Sequence, residues 1–494
     1  MQLDTLFPVG PSSAVNRLQT SKLQNIYEAD FEYGKQPLRW EEFTAGSGTV
    51  THMPRLGGTR MRLSGTAGDI TIRQSRPYHR YQPGKAMFMA TAMNFGTANA
   101  NQVQRVGFFD DSNGIFIEQS DTSAKNPFGM YVVSRSDVGG LPVDTRVPLD
   151  KWNGDATVIS SLDWTVVQMI WMEYAWYGAG LRRWGVYING IRYVLHNMAH
   201  GNMAGAFGPW SRTGNLPVRY EQRNTGTSVQ NDMYHYGVSV CVEGEVDEQR
   251  GFTYSYGMAL QSPRRTVAQN TIRFPVLSIR MRNMGTLEYT QANAACTAGT
   301  TTSLTAGTAS WTVDQWKGAC VAYIVAGVTY TARITTNTAT VLTIADIVTG
   351  LAMSVAPVAG QNYTIGLISR GQLLPKKLTI SASALAQCEI FLSTPTNPVV
   401  LTGANWQDAS GLGALNSFAQ RDVSATAMSG GELVKKFTLP AGGSGLQEFD
   451  LSELFALYNN IKGNTTDILC LAVTTQGSVQ ADVGADFDAQ EAMS

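Results

Sequence analysis

The stretch Asp163–His200, DWTVVQMIWMEYAWYGAGLRRWGVYINGIRYVLHNMAH, contains two long apolar runs separated by a glycine-containing break. In the first run, VVQMIWM, apolar residues occupy both alternating sets of positions, so both faces of a strand would be buried. The second run is interrupted at Asn189-Gly190, a dipeptide that accepts the positive φ angles of a type I′ turn. The stretch therefore predicts a buried strand followed by a β-hairpin.

The same pattern of short apolar runs and turn residues extends on both sides of this stretch, from residue 38 to residue 285. Short runs of β-branched and aromatic residues alternate with Gly, Asn and Pro breaks, and no helical periodicity intervenes. About a dozen short strands without alternating helices are typical of an all-β domain. We therefore expect residues 38–285 to form a large antiparallel β-sandwich or jelly roll.

The composition changes on either side of this region. Residues 286–367 are rich in Thr, Ala, Gly, Val and Ile, which predicts a small β-barrel or β-sandwich domain inserted in a loop of the main sandwich. Residues 368–494 then continue the sandwich or form a C-terminal β domain, and they end in a polar tail. Three domains in series remain an alternative. Residues 1–37 are predicted to be an N-terminal arm with a short helix over Ala14–Glu28.

The overall composition limits the classes of partner and of site. The net charge of −1 gives no reason to expect nucleic acid or an anionic membrane as a partner, and no apolar run is long enough for a membrane helix. The five cysteines are scattered without CxxC spacing, which argues against a disulfide framework and a zinc site and favours free thiols in a reducing cytoplasm. No secretory signal is visible at the N-terminus.

One acidic run contains carboxylates at a spacing that some enzymes use. Glu243, Glu245 and Asp247 alternate, and a pair of carboxylates is the machinery of glycoside hydrolysis. A solvated acidic strand edge explains the run better, because it continues to Glu248 at a strand end. No nucleophile motif or phosphate loop is present. His196 and His200 have i, i+4 spacing but lack the Glu of a zinc motif, and Asp110, Asp111 and Asn113 are only a fragment of a calcium loop that a hairpin turn explains better. The sequence therefore predicts no enzymatic activity, no catalytic residue, no metal and no cofactor.

Two sets of residues are predicted to make contacts. The basic and aromatic cluster Arg73, Arg76, Tyr78, Arg80 and Lys85 fits a loop that contacts another subunit or its own chain better than it fits nucleic acid. Among the many tryptophans, Trp152 and Trp210 lie in Asn-, Gly- and Pro-rich surroundings and are predicted to be the exposed pair. Exposed indole rings stack on sugars, so these two are candidate contacts for a glycan or a partner.

Several segments in fixed order resemble a known family. They are RPYHRYQPGKAMFMATAMN (76–94), RVGFFDDSNGIFIEQ (105–119), GMYVVSRS (129–136), the opening stretch (163–200) and NLPVRYEQRNTG (215–226), with IYEADFEYGKQPLRWEE (26–42) before them and DVSATAMSGGEL (422–433) after. Together they are similar to virion structural proteins of tailed bacteriophages. The resemblance covers most of 26–285 and 370–437. It implies a virion component and brings no catalytic residues.

The expected function follows from this resemblance. We expect a structural component of a tailed phage virion that acts through contacts with copies of itself and with other virion proteins. A position in the tail, baseplate or fibre attachment is favoured over one in the head. It would be assembled in the host cytoplasm. A head decoration or head fibre protein is one alternative, and a module that binds glycan on the host surface is another.

Overall fold

The computed structural model describes residues 23–177, 180–201, 208–244, 251–257, 264–285, 291–409, 417–440, 446–475 and 479–492. The chain divides into two compact units, Met1–Glu248 and Gln249–Ser494. Antiparallel strands make up almost all of the regular secondary structure in the described part of both, which confirms the predicted all-β class. None of the helices in the described ranges is long and apolar enough to cross a membrane.

The described residues of the first unit form fifteen strands, one short helix and one 3-10 turn. In chain order they are β1 Leu23–Ala29, β2 Trp40–Ala45, β3 Thr49–Met53, β4 Gly58–Leu63, β5 Ile70–Ser75, β6 Met87–Asn94, β7 Gln102–Phe109, β8 Gly114–Gln119, β9 Met130–Ser136, β10 Val143–Pro148, the 3-10 turn Leu149–Lys151, α1 Ala156–Ser161, β11 Gln168–Tyr174, β12 Arg182–Ile188, β13 Ile191–Met198, β14 Val218–Asn224 and β15 Asn231–Glu243.

These strands form two sheets that enclose one core. The eight-stranded sheet has the order β13-β12-β11-β6-β15-β4-β3, with β1 also on β15, and the seven-stranded sheet has the order β10-β9-β8-β7-β14-β5-β2. Alternate side chains of both sheets are buried in the same cluster, including Met89 and Met172 from the first and Ile117 and Val132 from the second. The unit is therefore a β-sandwich, as the alternation of apolar residues predicts.

The opening stretch forms adjacent strands of the eight-stranded sheet. β11 pairs with β12, β12 pairs with β13, and Ile188 faces Ile191 across the turn. Asn189 and Gly190 have φ angles of 51° and 80°, the two positive values of a type I′ turn. The predicted hairpin is confirmed. Its Trp184 is fully buried between the sheets, where the indole Nε1 donates to the carbonyl oxygen of Phe116 at 3.1 Å.

Trp171 lies on the other face of the same sheet, yet it is also fully buried. It lies opposite Gly185, donates from Nε1 to the carbonyl of Tyr193 at 3.1 Å, and has the Arg192 guanidinium 3.8 Å from its ring centre. This arrangement explains why the strand is apolar on both faces. The ring needs the bare backbone of a glycine beneath it.

Replacing Gly185 by alanine is expected to destabilise the first unit by about 1–3 kcal/mol, the usual cost of overpacking. A Cβ at this position would lie 2.1 Å from Cε2 of Trp171 and 2.2 Å from the carbonyl oxygen of Tyr193, so the ring must move. Urea unfolding measures the loss. Gly139→Ala is the matched control, since its Cβ would meet nothing within 4 Å, and it should change stability by less than about 0.5 kcal/mol. Equal stabilities of the two variants would contradict this account of Trp171.

Twenty-one strands lie in the part of the second unit that the structure describes. They are β16 Phe252–Ser255, β17 Arg265–Val267, β18 Phe274–Met281, β19 Met284–Gly285, β20 Gln291–Ala295, β21 Ala298–Thr300, β22 Ser303–Thr305, β23 Cys320–Val325, β24 Val328–Asn337, β25 Val341–Asp346, β26 Asn362–Ile368, β27 Gln372–Ala382, β28 Ala386–Leu392, β29 Val400–Thr402, β30 Gln407–Asp408, β31 Ala419–Asp422, β32 Ala427–Ser429, β33 Glu432–Leu439, β34 Gln447–Asp450, β35 Ile468–Thr475 and β36 Ala481–Ala492.

Strands β19–β26 pair only among themselves, in the described part of the chain, as a sheet in the order β19-β26-β23-β24-β25-β22-β21 with β20 also on β26. The flanking strands belong to other sheets. These are a six-stranded sheet, β30-β31-β18-β35-β28-β33, a five-stranded sheet, β16-β36-β27-β34 with β17 on β36, and the pair β29-β32. Residues 284–368 thus have a sheet and a core of their own between strands of the remaining second unit.

Three details of the predicted domain organisation differ from the structure. Strands between 252 and 281 pair with strands after 372, so the first sandwich ends near residue 248 and not at 285. Part of the predicted helix over Ala14–Glu28 lies outside the described residues, and from Leu23 onward the chain is strand β1, which is paired with β15. The predicted polar tail is strand β36: its alternate residues Val483, Ala485 and Phe487 are buried, and its aspartates Asp482, Asp486 and Asp488 occupy the opposite face.

Candidate functional site

Both tryptophans predicted to be exposed are buried. Trp152 is 8% exposed and Trp210 is 3% exposed, and both belong to the sandwich core. The Trp152 ring packs edge-on against Trp164 and its Nε1 donates to the carbonyl of Val147. The exposure predicted from Gly- and Pro-rich surroundings is therefore wrong, because each ring packs against a core aromatic side chain, Trp152 against Trp164 and Trp210 against Tyr174. Trp210, unlike Trp152, contributes to the wall of a cleft.

The predicted contact cluster is divided by the fold. Arg73 is on β5 with its side chain fully buried in the sandwich, where it donates to Thr59 Oγ1 at 2.6 Å and lies over the rings of Phe31 and Trp40. The prediction that Arg73 contacts another subunit is therefore wrong. Arg76 and Tyr78 are also buried, whereas Arg80 and Lys85 are partly exposed, so for these last two a contact with another subunit stays a prediction.

The first unit has a cleft of about 580 Å³ along one open side of the sandwich. It lies where the last strands of the two sheets, β10 and β13, stand next to β9 and β12. The residues that line it come from these strands and from 208–210, and they include Ser134, Thr145, Arg182, His196, Met198 and Trp210. A concave site with an apolar wall and a few convergent polar groups is the usual form of a small-molecule site.

Arg182 is the most unusual residue of this cleft. It is the first residue of β12 and follows the inward alternation of Trp184 and Val186, which places a guanidinium among core residues. Its Nη1 donates to Ser134 Oγ at 2.6 Å, its Nη2 donates to the carbonyl of Ala199 at 2.9 Å, and its guanidinium carbon is 5.3 Å from the Trp210 ring centre. Burial lowers the pKa of Arg182 to about 10, so it is still a cation at neutral pH.

His196 supplies a second polar group with a defined protonation. Its Nδ1 accepts a hydrogen bond from the backbone N–H of Asn153 at 3.2 Å, so the ring proton is on Nε2. Burial, and then the charge of Arg182, lower the pKa of His196 to about 4. At neutral pH the ring is therefore an uncharged hydrogen-bond donor at Nε2.

The outer face of the seven-stranded sheet carries a second concentration of charge. Phe109, Phe116 and Val133 pack there, and the guanidinium groups of Arg105, Arg135 and Arg219 cover the two phenylalanine rings. Each of these arginines has a carboxylate partner at 2.7–2.8 Å, namely Glu118 and Glu221 for Arg105, Asp144 for Arg135 and Asp111 for Arg219. The charges neutralise one another, so this face is a structural layer.

The acidic run at the end of β15 is only partly described. Glu243 is buried at 8% exposure, while Glu245 and Asp247 lie outside the described residues. The five cysteines are unpaired, in agreement with the prediction of free thiols. Sequence reasoning missed Arg182 and the protonation of His196. A signal for Arg182 was present, because a cation at the inward position of the alternating run RRWGVYI breaks its apolar face.

No family model matches this chain, and no curated protein matches it. Solved structures do match its fold. A glycosyl hydrolase family 16 protein from Mycobacterium smegmatis is 11% identical and covers 44% of this chain and 100% of its own, with a TM-score of 0.30. Lectin I-B4 from Griffonia simplicifolia is 9% identical and covers 44% and 99%, with a TM-score of 0.27. The Crh5 transglycosylase is 13% identical and covers 48% and 92%, with a TM-score of 0.29.

These matches correct one prediction from the sequence. The expectation that the chain is not an enzyme is contradicted, since glycosyl hydrolases and a transglycosylase stand among the matching structures. That expectation depended on the absence of local motifs, but folding can bring catalytic carboxylates together from separate strands. With identities of 9–13% and TM-scores of 0.25–0.30, the matches assign neither an activity nor a ligand to this chain.

Proposed function

We propose that the first unit binds carbohydrate in the cleft between β10 and β13. The observation that carries the proposal is the combination of an apolar lining, which includes Val147, Met198 and part of Trp210, with N–H donors at Arg182 and His196 in one cleft of about 580 Å³. Sugars present apolar C–H faces and hydroxyl groups, and such a cleft offers a partner for each. The volume suits one or two sugar rings.

A cleft-filling substitution tests this proposal. Thr145 lines the cleft from β10, an edge strand, and its side chain is exposed, so Thr145→Trp should fold normally while its indole occupies the entrance. We expect binding on a glycan array, and the affinity measured by calorimetry, to fall at least about tenfold, the effect of losing roughly 1.4 kcal/mol of binding free energy.

Thr49→Trp is the matched control for this measurement. Thr49 is an exposed threonine on β3, the edge strand at the other end of the eight-stranded sheet, and its replacement should leave binding unchanged. A wild-type protein that binds no glycan on the array would overturn the proposal. Equal binding by Thr145→Trp and wild type would show that the glycan does not bind in this cleft.

A second candidate function is that of a structural component of a tailed phage virion, assembled in the host cytoplasm from copies of itself and other virion proteins. The observation that favours it is the ordered series of segments between residues 26 and 437 that resembles this family. Within the virion, a position in the tail, baseplate or fibre attachment is compatible with binding to host-surface glycan. Mass spectrometry of purified particles should find the chain at several copies per virion, and its absence would overturn this candidate.

A further inference from the structure

Arg182 is a buried cation without a buried anion. It is 6% exposed, and within the described ranges no carboxylate lies within ion-pair distance of it. Other buried or largely buried arginines of the first unit are compensated: Arg105 by Glu118 and Glu221, Arg219 by Asp111, and Arg183 by Glu173. Removing a cation from water without a counter-charge is unfavourable, so a residue kept in this state is suited to bind an anion.

The bonds that Arg182 does make fix its orientation. Ser134 Oγ and the carbonyl of Ala199 each accept from a different terminal nitrogen, which leaves one N–H on Nη1 and one on Nη2. The third nitrogen, Nε, is buried and makes no hydrogen bond with a described residue. Trp210 stands below the guanidinium and keeps it apart from water on that side. The guanidinium is thus held in place before any ligand arrives.

We propose that the cleft contains an anion subsite at Arg182, and that the bound carbohydrate is an acidic one that carries a carboxylate. This inference depends on the proposed carbohydrate binding in the same cleft. A carboxylate is planar and its two oxygens match the two terminal N–H groups of a guanidinium, whereas a neutral sugar leaves the cation uncompensated. The Nε2–H of His196, which lines the same cleft, is an uncharged donor for a ring hydroxyl or for the carboxylate.

The ligand preference can be measured with sugars that differ at one group. The intact chain is titrated with glucuronic acid and glucose, and with galacturonic acid and galactose, while sulfated galactose and inorganic sulfate distinguish a carboxylate from a sulfate. We expect the acid of a pair to bind at least about tenfold more tightly than the neutral sugar, since a hydrogen bond to a charged group is much stronger than one to a neutral group.

Variants assign the preference to one residue. Arg182→Gln should lower affinity for the acid by about 10- to 100-fold and leave affinity for the neutral sugar nearly unchanged. Arg182→Lys, which keeps the charge without the planar fork, should give an intermediate affinity. The thermal midpoints of both variants establish that they are folded. Arg55→Gln removes an exposed arginine elsewhere in the first unit and should bind like the wild type.

The outcomes separate the two proposals. Equal binding of acid and neutral sugar by the wild type, or an acid preference that survives in Arg182→Gln, would overturn the anion subsite and leave carbohydrate binding in place. Tighter binding of sulfated galactose than of galacturonic acid would overturn the carboxylate assignment. Failure of every sugar to bind would overturn carbohydrate binding itself. The inference is supported if Arg182→Gln loses the acid preference while Arg55→Gln keeps it.

Discussion

Replacing Glu221 by glutamine is expected to destabilise the first unit by about 3–5 kcal/mol, the cost of removing one partner from a buried ionic network. Glu221 is fully buried on β14, where it accepts from Arg105 Nη1 at 2.8 Å, Arg223 Nε at 2.6 Å and Arg219 Nη1 at 3.2 Å. Burial favours the neutral acid, but these three arginines outweigh it and hold the pKa of Glu221 well below its ordinary value. Without the negative charge, three guanidinium groups are left close together.

Urea unfolding of Glu221→Gln measures this loss through the shift of the transition midpoint at an unchanged slope. The same substitution at Glu448 is the control. Glu448 is 63% exposed and pairs with Lys377 at 3.1 Å in the second unit, and an exposed pair contributes no more than about 1 kcal/mol. If Glu221→Gln is as stable as the wild type, the arginines that cover Phe109 and Phe116 do not depend on this carboxylate.

Acidification below about pH 6.5 is expected to destabilise the first unit through its buried histidines. Burial, and then Arg39, lower the pKa of His79 to about 3, and burial, then Arg73, hold the pKa of His235 well below its ordinary value. The unfolded chain takes up protons as the pH falls below about 6.5, whereas the folded chain does not. Stability is therefore complete above that pH and is lost as the pH falls toward the folded values, by roughly 1.5–2 kcal/mol for His79 at pH 5.

His235→Phe isolates one contribution to this acid sensitivity. The His235 ring stacks on Tyr220 at 4.0 Å between ring centres, lies edge-on to Phe31, and neither ring nitrogen has a hydrogen-bond partner within the described chain. A phenyl ring keeps these contacts and cannot be protonated, so the midpoint of acid unfolding should move to lower pH. His200→Gln, a change at a partly exposed histidine, should leave the midpoint where it is. An unchanged midpoint in His235→Phe would assign the acid sensitivity to other groups.

Local patterns were sufficient for the class of fold and for its central hairpin. Asn189-Gly190 predicts a type I′ turn because the dipeptide tolerates two positive φ angles, and the strands on either side pair as that turn requires. The two-sided apolar pattern of β11 reflects burial on both faces from Ile170 onward, at Met172 and at Trp171. The start of the same run was predicted wrongly, since Val166, Val167 and Met169 are about half exposed. These features depend on neighbours in sequence, or on the alternation of a single strand.

Features that depend on distant residues were not predictable in the same way. Trp152 and Trp210 look exposed from their neighbours in sequence, but they are buried against Trp164 and Tyr174. Arg73 looks like part of a basic loop, but its strand inserts it between Phe31 and Trp40. The cleft is made from strands as far apart in sequence as β9 and β13, so only the fold brings Ser134 to Arg182. A charge within an apolar alternating run was the one local sign of the site.

The position of β36 has a consequence for synthesis. This strand pairs with β16, β17 and β27, so Phe252 meets Glu491 and Gln372 meets Ala492. On the ribosome, the five-stranded sheet cannot close until residues 481–492 have emerged from the exit tunnel. Among the described residues, the last strands of the two first-unit sheets are β14 and β15, so these sheets can close once Glu243 has left the tunnel. The first unit can therefore fold while the second is still being translated.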